Sequence, residues 1–124
     1  MPAELRHIVF STGDLIEAVA EQQKLLGDPF NSKAVSDFDL YDSDNGPCIK
    51  MIILHASTGA ERVLELDSSE LAVAVMKYCF IKRIPLPKYS EKSLHRVNDQ
   101  LALMISMGGK TRRFHMSGEG AKLA

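Results

Sequence analysis

Cysteine is scarce in this sequence, with two residues among 124. Cys48 and Cys79 cannot build a disulfide framework, and they lack the Cys-x-x-Cys spacing of zinc and redox sites. Both have apolar neighbours in the chain, and a buried free thiol packs like a small hydrophobic side chain. We therefore predict that both cysteines belong to the core and take no part in catalysis.

Long apolar runs are also missing. Runs such as Met51–Leu54 and Leu101–Ile105 are far shorter than the about 20 apolar residues that a membrane-spanning helix needs. The first residues include Glu4 and Arg6 and do not show the basic and then apolar regions of a signal peptide. We expect a cytoplasmic protein with no membrane partner.

The common motifs of catalysis and cofactor binding are absent as well. The sequence has no Gly-x-Gly-x-x-Gly, no phosphate-binding loop ending in Lys-Ser/Thr and no Gly-x-Ser-x-Gly turn. An acidic cluster at positions 37–44 does not match the ligand spacing of an EF-hand loop, so an exposed acidic strand face is the favoured interpretation. We predict no cofactor, no metal ligand and no catalytic residue from these motifs.

Histidine leaves one enzymatic alternative open. His7 and His55 fall on predicted strands, and they could form an acid–base or metal site with a carboxylate such as Glu65 if the two strands were neighbours. A histidine with a satisfied hydrogen bond on a strand is the commoner case. A small enzyme with a His7/His55 site is therefore our third hypothesis.

The hydrophobic pattern of the chain is typical of an α+β domain. Strands are predicted at Leu5–Phe10, Asp37–Tyr41, Cys48–Ala56, Arg62–Asp67 and Leu101–Met107, and helices after Ser11 and over Ser69–Arg83. We predict an antiparallel sheet of about four to six strands with two main helices packed on it, in the order β-α-β-β-β-α-(α or β)-β. Segment 90–97 fits either a helix or a strand, and this alternative stays open.

Local signals support several of these elements. Ser11 and Asp67 each stand three residues before an acidic residue, which is the spacing of a helix-capping box. Asn45-Gly46 between two strand-like segments predicts a hairpin. The length fits one domain, which we place at 1–109, followed by a basic, flexible C-terminal tail at 110–124.

Charge is unevenly distributed along the chain. Residues 1–76 carry 13 acidic and five basic side chains, whereas residues 77–124 carry ten basic and three acidic ones. Such asymmetry indicates either an anionic partner or two halves that neutralise each other in the fold. The basic side chains that we assign to an anion or nucleic-acid site are Lys82, Arg83, Lys88, Lys92, Arg96, Arg112 and Arg113.

Our first functional hypothesis is therefore a small non-enzymatic binding module whose basic C-terminal segment engages an anionic partner, nucleic acid being the best single example. The second is a protein-interaction or homodimerisation module. It uses the helix predicted at 69–83, which is apolar on almost every side and must be either well buried or half of an interface. The interface residues assigned to this helix are Val75, Met76 and Phe80.

Overall fold

The computed structural model describes residues 3–108 and 121–123. In chain order, the elements are β1 (Ala3–Phe10), α1 (Thr12–Leu25), a 3-10 turn (Ser32–Ala34), β2 (Val35–Ser43), β3 (Gly46–Leu54), β4 (Glu61–Leu66), α2 (Ser68–Ile81), β5 (Glu91–Val97), β6 (Gln100–Gly108) and β7 (Ala121–Leu123). The predicted α+β class is confirmed, and the predicted order of elements broadly matches, with β7 as an additional strand and two sheets in place of one.

The strands divide between two antiparallel sheets. One has the order β1-β6-β5-β7 and the other has the order β2-β3-β4. The first sheet joins the two ends of the domain, because β1 pairs with β6 along its whole length, from Ala3 opposite Gly108 to Phe10 opposite Leu101. The apolar strands β3 and β6 are each flanked by a strand on both sides.

Both helices begin at the predicted caps. The Ser11 hydroxyl accepts a hydrogen bond from the Asp14 N–H, and the Asp14 carboxylate accepts one from the Ser11 N–H. Asp67 and Glu70 exchange the same pair of bonds at the start of α2. These reciprocal bonds satisfy amides that have no partner inside the helix, so they fix where each helix starts.

Two tight turns set the registers of the hairpins. The predicted β2–β3 hairpin is present, and Ser43 pairs with Gly46 around the turn residues Asp44 and Asn45. In the second hairpin Val97 pairs with Gln100, and Asn98 in the turn has a positive φ of 59°. Asparagine tolerates this left-handed conformation better than most residues. Segment 91–97 is therefore a strand, which decides the alternative that the sequence left open.

The core lies between the helices and the two sheets, and every one of these layers contributes to it. Phe10 from β1, Leu15 from α1, Ile49 from β3, Leu71 from α2 and Leu103 from β6 are at most 2% exposed. The predicted burial of both cysteines is confirmed, since Cys48 is 5% and Cys79 0% exposed, and both thiols are free. Burial raises the pKa of the Cys79 thiol.

The predicted C-terminal tail lies mostly outside the described residues. Within it, Ala121–Leu123 forms β7 and pairs with β5, with Lys122 opposite Ser93. The flexible character assigned to 110–124 stays a prediction. Among the described residues, neither helix has the length and apolarity needed to cross a bilayer.

Candidate interaction surface

The apolar helix α2 has two unlike sides. Its inner side is buried and consists of Ser68, Leu71, Ala72, Ala74, Val75, Tyr78 and Cys79. On its outer side, Val73 is 44% exposed, Ile81 47% and Phe80 84%. One side of the helix is therefore buried in the core, and the other side exposes apolar side chains to solvent. The sequence had allowed either a well-buried helix or half of an interface, and the structure has features of both.

From Val73 to its end, the exposed residues of α2 form a continuous stripe. Val73, Lys77, Phe80 and Ile81 recur at intervals of three and four, so they lie on one side of the helix, one turn above another. We call these four residues the α2 stripe. Its apolar side chains are left in water, although burying one of this size stabilises a protein or complex by about 1.5–3 kcal/mol.

The chain reverses sharply where α2 ends. The Ile84 N–H donates to the Cys79 carbonyl at 2.8 Å, and the Arg83 N–H donates to the Phe80 carbonyl at 3.1 Å. Arg83 has a positive φ of 58°. This pair of bonds around a left-handed residue is the Schellman arrangement, which here places an arginine where glycine is usual. The reversal brings segment 84–86 back beside the last turn of the helix.

An open apolar groove results from this reversal. It has a volume of about 630 Å³ and is lined by Phe80, Ile81, Arg83, Ile84, Pro85 and Leu86. Phe80 and Ile81 also belong to the α2 stripe, so the groove extends the stripe beyond the end of the helix. Stripe and groove together form one apolar surface with Lys77 and Arg83 as its charged members.

A polar network holds this end of α2 against α1. The Tyr78 hydroxyl donates to the Glu17 carboxylate at 3.0 Å and lies 3.4 Å from a carboxylate oxygen of Asp14. The Lys82 ammonium pairs with Glu17 at 3.2 Å. Burial raises the pKa of Tyr78, and the hydrogen bond to Glu17 and the nearby carboxylate charges raise it further. The groove is therefore built on an anchored helix end.

The structure separates the basic residues that the sequence grouped into an anion site. Lys82 pairs with Glu17, and Arg96 pairs with Asp42 at 3.1 Å. Both carboxylates come from the acidic half of the chain. Part of the charge asymmetry is thus neutralised within the fold. Of the two alternatives that the sequence left open, this is the one in which the acidic and basic halves neutralise each other.

The other predicted anion-site residues lie in different surroundings. Lys92 is only 6% exposed, and its ammonium reaches the Ser90 carbonyl at 3.4 Å, so it does not belong to an accessible basic surface. Arg83 and Lys88 are exposed, and no ion pair within residues 3–108 and 121–123 involves them. Arg112 and Arg113 lie outside the described residues.

The three predicted interface residues of α2 differ in how far they are exposed to solvent. Val75 is fully buried, so a partner cannot reach it, and its assignment is corrected to the core. Met76 is partly buried, and Phe80 is 84% exposed, more than Val73 or Ile81. Val73, Ile81 and the groove segment 84–86 were missed. The i, i+4, i+7 spacing from Val73 could have found the stripe, but the groove depends on the reversal at Arg83.

The predicted histidine site is not formed across neighbouring strands. His7 lies on β1 and His55 directly follows β3, and these two strands belong to different sheets. His55 Nδ1 lies 3.2 Å from the Ser57 hydroxyl. Within 3–108 and 121–123, no group of three or more His, Cys, Asp or Glu side chains is arranged to hold a metal ion.

A smaller cleft of about 210 Å³ lies beside His55, with Phe30 and Ile53 in its wall and Arg62 at its rim. Arg62 is paired with the Asp28 carboxylate. His55 thus lines the cleft, and the arginine of the cleft already has a counterion. Comparison with known proteins adds no further assignment, because no family model, curated protein or solved structure matches this chain.

Proposed function

We propose that this protein is a non-enzymatic protein-interaction module that binds its partner through the α2 stripe and the adjoining groove. The single observation that carries the proposal is the 84% exposure of Phe80 beside an apolar groove of about 630 Å³. Isolated exposed apolar side chains are ordinary, but a contiguous apolar patch is typical of an interaction site.

The arrangement of the surface supports this proposal. Binding energy in protein interfaces is concentrated in a few aromatic and arginine side chains near the centre, and polar residues surround them. Phe80 supplies an aromatic anchor, and Arg83 supplies an exposed arginine in the lining of the groove. The helix end is fixed by the Tyr78–Glu17 hydrogen bond, so little conformational freedom is lost on binding.

A photo-crosslinking residue tests the proposal directly. Benzoylphenylalanine is introduced in place of Phe80 in cells that produce the protein, and in place of Val63 as the control. Val63 lies on β4 and is 54% exposed, so it is an accessible apolar residue like Phe80 but is not part of the proposed surface. We expect discrete protein adducts from position 80 that are absent from position 63. The same adduct pattern at both positions, or no adduct at position 80, would refute the proposal.

A second candidate function, binding of an anionic partner such as nucleic acid, rests on a different observation. Arg83 and Lys88 are exposed, and Tyr89 beside them is 92% exposed, with the Lys88 ammonium 5.7 Å from the centre of its ring. Cations next to an accessible aromatic ring suit a phosphate backbone with stacked bases.

Salt dependence separates this candidate from the first. Binding of single-stranded nucleic acid should weaken steeply as salt rises, and should weaken again in the Arg83→Ala/Lys88→Ala variant. Lys33→Ala is a suitable control, since Lys33 lies in the 3-10 turn that follows α1. Binding that is equal in the double variant and the wild type would refute this candidate.

A further inference from the structure

We propose that the partner of the α2 stripe is a second copy of this chain, with the two α2 helices antiparallel across a two-fold axis near Lys77. This inference rests on the function proposed above and names the partner of the same surface. A two-fold interface uses the same patch on both subunits, so the patch must be complementary to itself. Charge and sequence spacing both meet this requirement.

The charges of α2 are segregated between its two ends. Asp67 and Glu70, both exposed, form the capping box at its start. Arg83, which is exposed and has no ion pair within residues 3–108 and 121–123, follows its end, whereas Lys82 is already paired with Glu17. An antiparallel pair places the acidic start of each helix beside the basic end of the other, whereas a parallel pair places like charges together. The two helix dipoles are likewise opposed in the antiparallel arrangement. The charge pattern therefore selects the antiparallel orientation.

The apolar residues show the matching spacing. Val73 lies four residues before Lys77, and Phe80 and Ile81 lie three and four residues after it. A two-fold axis near Lys77 thus brings Val73 of each subunit to the Phe80–Ile81 end of the other. Phe80, which is exposed in a single copy, is then covered by apolar side chains from the α2 stripe of the other copy.

One feature of this arrangement opposes association. The axis brings Lys77 close to its own counterpart in the second copy, and like charges in such a position repel each other. Removing this charge should therefore strengthen the dimer. A partner of different sequence would not produce this effect unless it carried a cation at the same place.

Analytical ultracentrifugation of the purified chain provides the first test. We expect reversible dimerisation, a loss of at least about tenfold in affinity for Phe80→Glu, and a gain of about threefold or more for Lys77→Met. Val63→Glu is the matched control and should leave the affinity unchanged. Circular dichroism confirms that each variant is folded. A chain that stays monomeric up to about 1 mM, where even weak association is populated, would overturn the inference.

Disulfide trapping provides the second test, because it reports orientation. Val73→Cys and Phe80→Cys chains are oxidised separately and then as a mixture; the native cysteines are buried and do not compete. We expect cross-linked dimers mainly in the mixture, since the antiparallel pair brings position 73 to position 80. Efficient cross-linking of Val73→Cys to itself would show a parallel pair and overturn the inference.

The two proposals can fail separately. If position 80 gives adducts with another protein in cells while the purified chain is monomeric, the second-copy inference is wrong and the proposed function stands. If position 80 gives no adduct and the purified chain does not dimerise, both are wrong.

Discussion

The phenol of Tyr78 donates a 3.0 Å hydrogen bond to the carboxylate of Glu17 and thereby ties the last turn of α2 to α1. Lys82 reaches the same carboxylate at 3.2 Å and lies over the Tyr78 ring, 5.6 Å from its centre. Phe10 packs on Tyr78 in an edge-on contact with 6.2 Å between ring centres. The exposed surface at Phe80 is therefore supported from beneath by aromatic and polar contacts.

Removing the Tyr78 hydroxyl should destabilise the fold. Tyr78→Phe keeps the ring and its packing on Phe10 but loses the bond to Glu17, and we expect a loss of about 1 kcal/mol in the free energy of unfolding. Urea denaturation measures this loss. Tyr89→Phe is the control, because Tyr89 is 92% exposed and its substitution should change stability by less than about 0.5 kcal/mol. Equal stabilities of the two variants would contradict the role of the bond.

The same contact should make stability depend on pH in alkaline solution. The pKa of Tyr78 is raised above the ordinary tyrosine value of 10.0, first by burial and then by the hydrogen bond to Glu17 and the carboxylate charges. The unfolded chain therefore loses this proton at a lower pH than the folded chain does. Stability is full below the ordinary value and falls as pH rises above it.

Comparison of wild type with Tyr78→Phe isolates this contribution, because Tyr41 and Cys79 also have raised pKa values and remain in both proteins. The difference in unfolding free energy between the two proteins should be constant below the ordinary tyrosine value and should shrink above it. A difference that stays constant across the alkaline range would exclude Tyr78 as the cause.

The two buried thiols should be unreactive while the chain is folded. Cys79 is 0% exposed and burial raises its pKa, so the reactive thiolate is both rare and inaccessible at neutral pH. We expect a thiol reagent such as Ellman's reagent to modify Cys79 and Cys48 slowly in the native protein and rapidly in urea. Separate Cys48→Ala and Cys79→Ala variants assign the rates. Rapid modification of the folded Cys48→Ala variant would show that Cys79 is accessible.

Most elements of the fold could be predicted from interactions between residues that are close together in the sequence. The capping boxes at Ser11 and Asp67 and the β2–β3 hairpin depend on residues close together in the chain, and each was recognisable locally. The hairpin was predicted from Asn45-Gly46, whereas its two turn residues are Asp44 and Asn45. Segment 91–97 stayed ambiguous because its outcome depends on pairing with β6 and on the left-handed turn at Asn98.

Contacts between residues that are far apart in the chain could not be predicted from such local signals. Nothing local shows that β1 pairs with β6 near the other end of the chain, so the division into two sheets was not predicted. The ion pairs of Lys82 and Arg96 with carboxylates from the acidic half depend on that same folding. The predicted basic site was therefore dispersed by contacts between residues more than 50 positions apart, Arg96 and Asp42 being one example.

The last prediction concerns Arg83, which ends α2 with a φ of 58°. An L-residue with a side chain is strained by about 1 kcal/mol in this conformation relative to glycine, so Arg83→Gly should raise the free energy of unfolding by about that amount. Asn98→Gly is the matched control: Asn98 has a φ of 59°, but asparagine already tolerates the conformation, and its gain should be smaller.

The same substitution should weaken association. Arg83 lines the groove and follows the end of α2. In the proposed dimer, Arg83→Gly therefore removes the charge that faces the acidic start of the second α2 helix. A stabilised chain that dimerises less would indicate that arginine at this strained position serves the surface at the expense of the fold, as is common where a local rule is broken at a functional site. Greater stability with unchanged dimerisation would mean that the charge of Arg83 has no part in the interface.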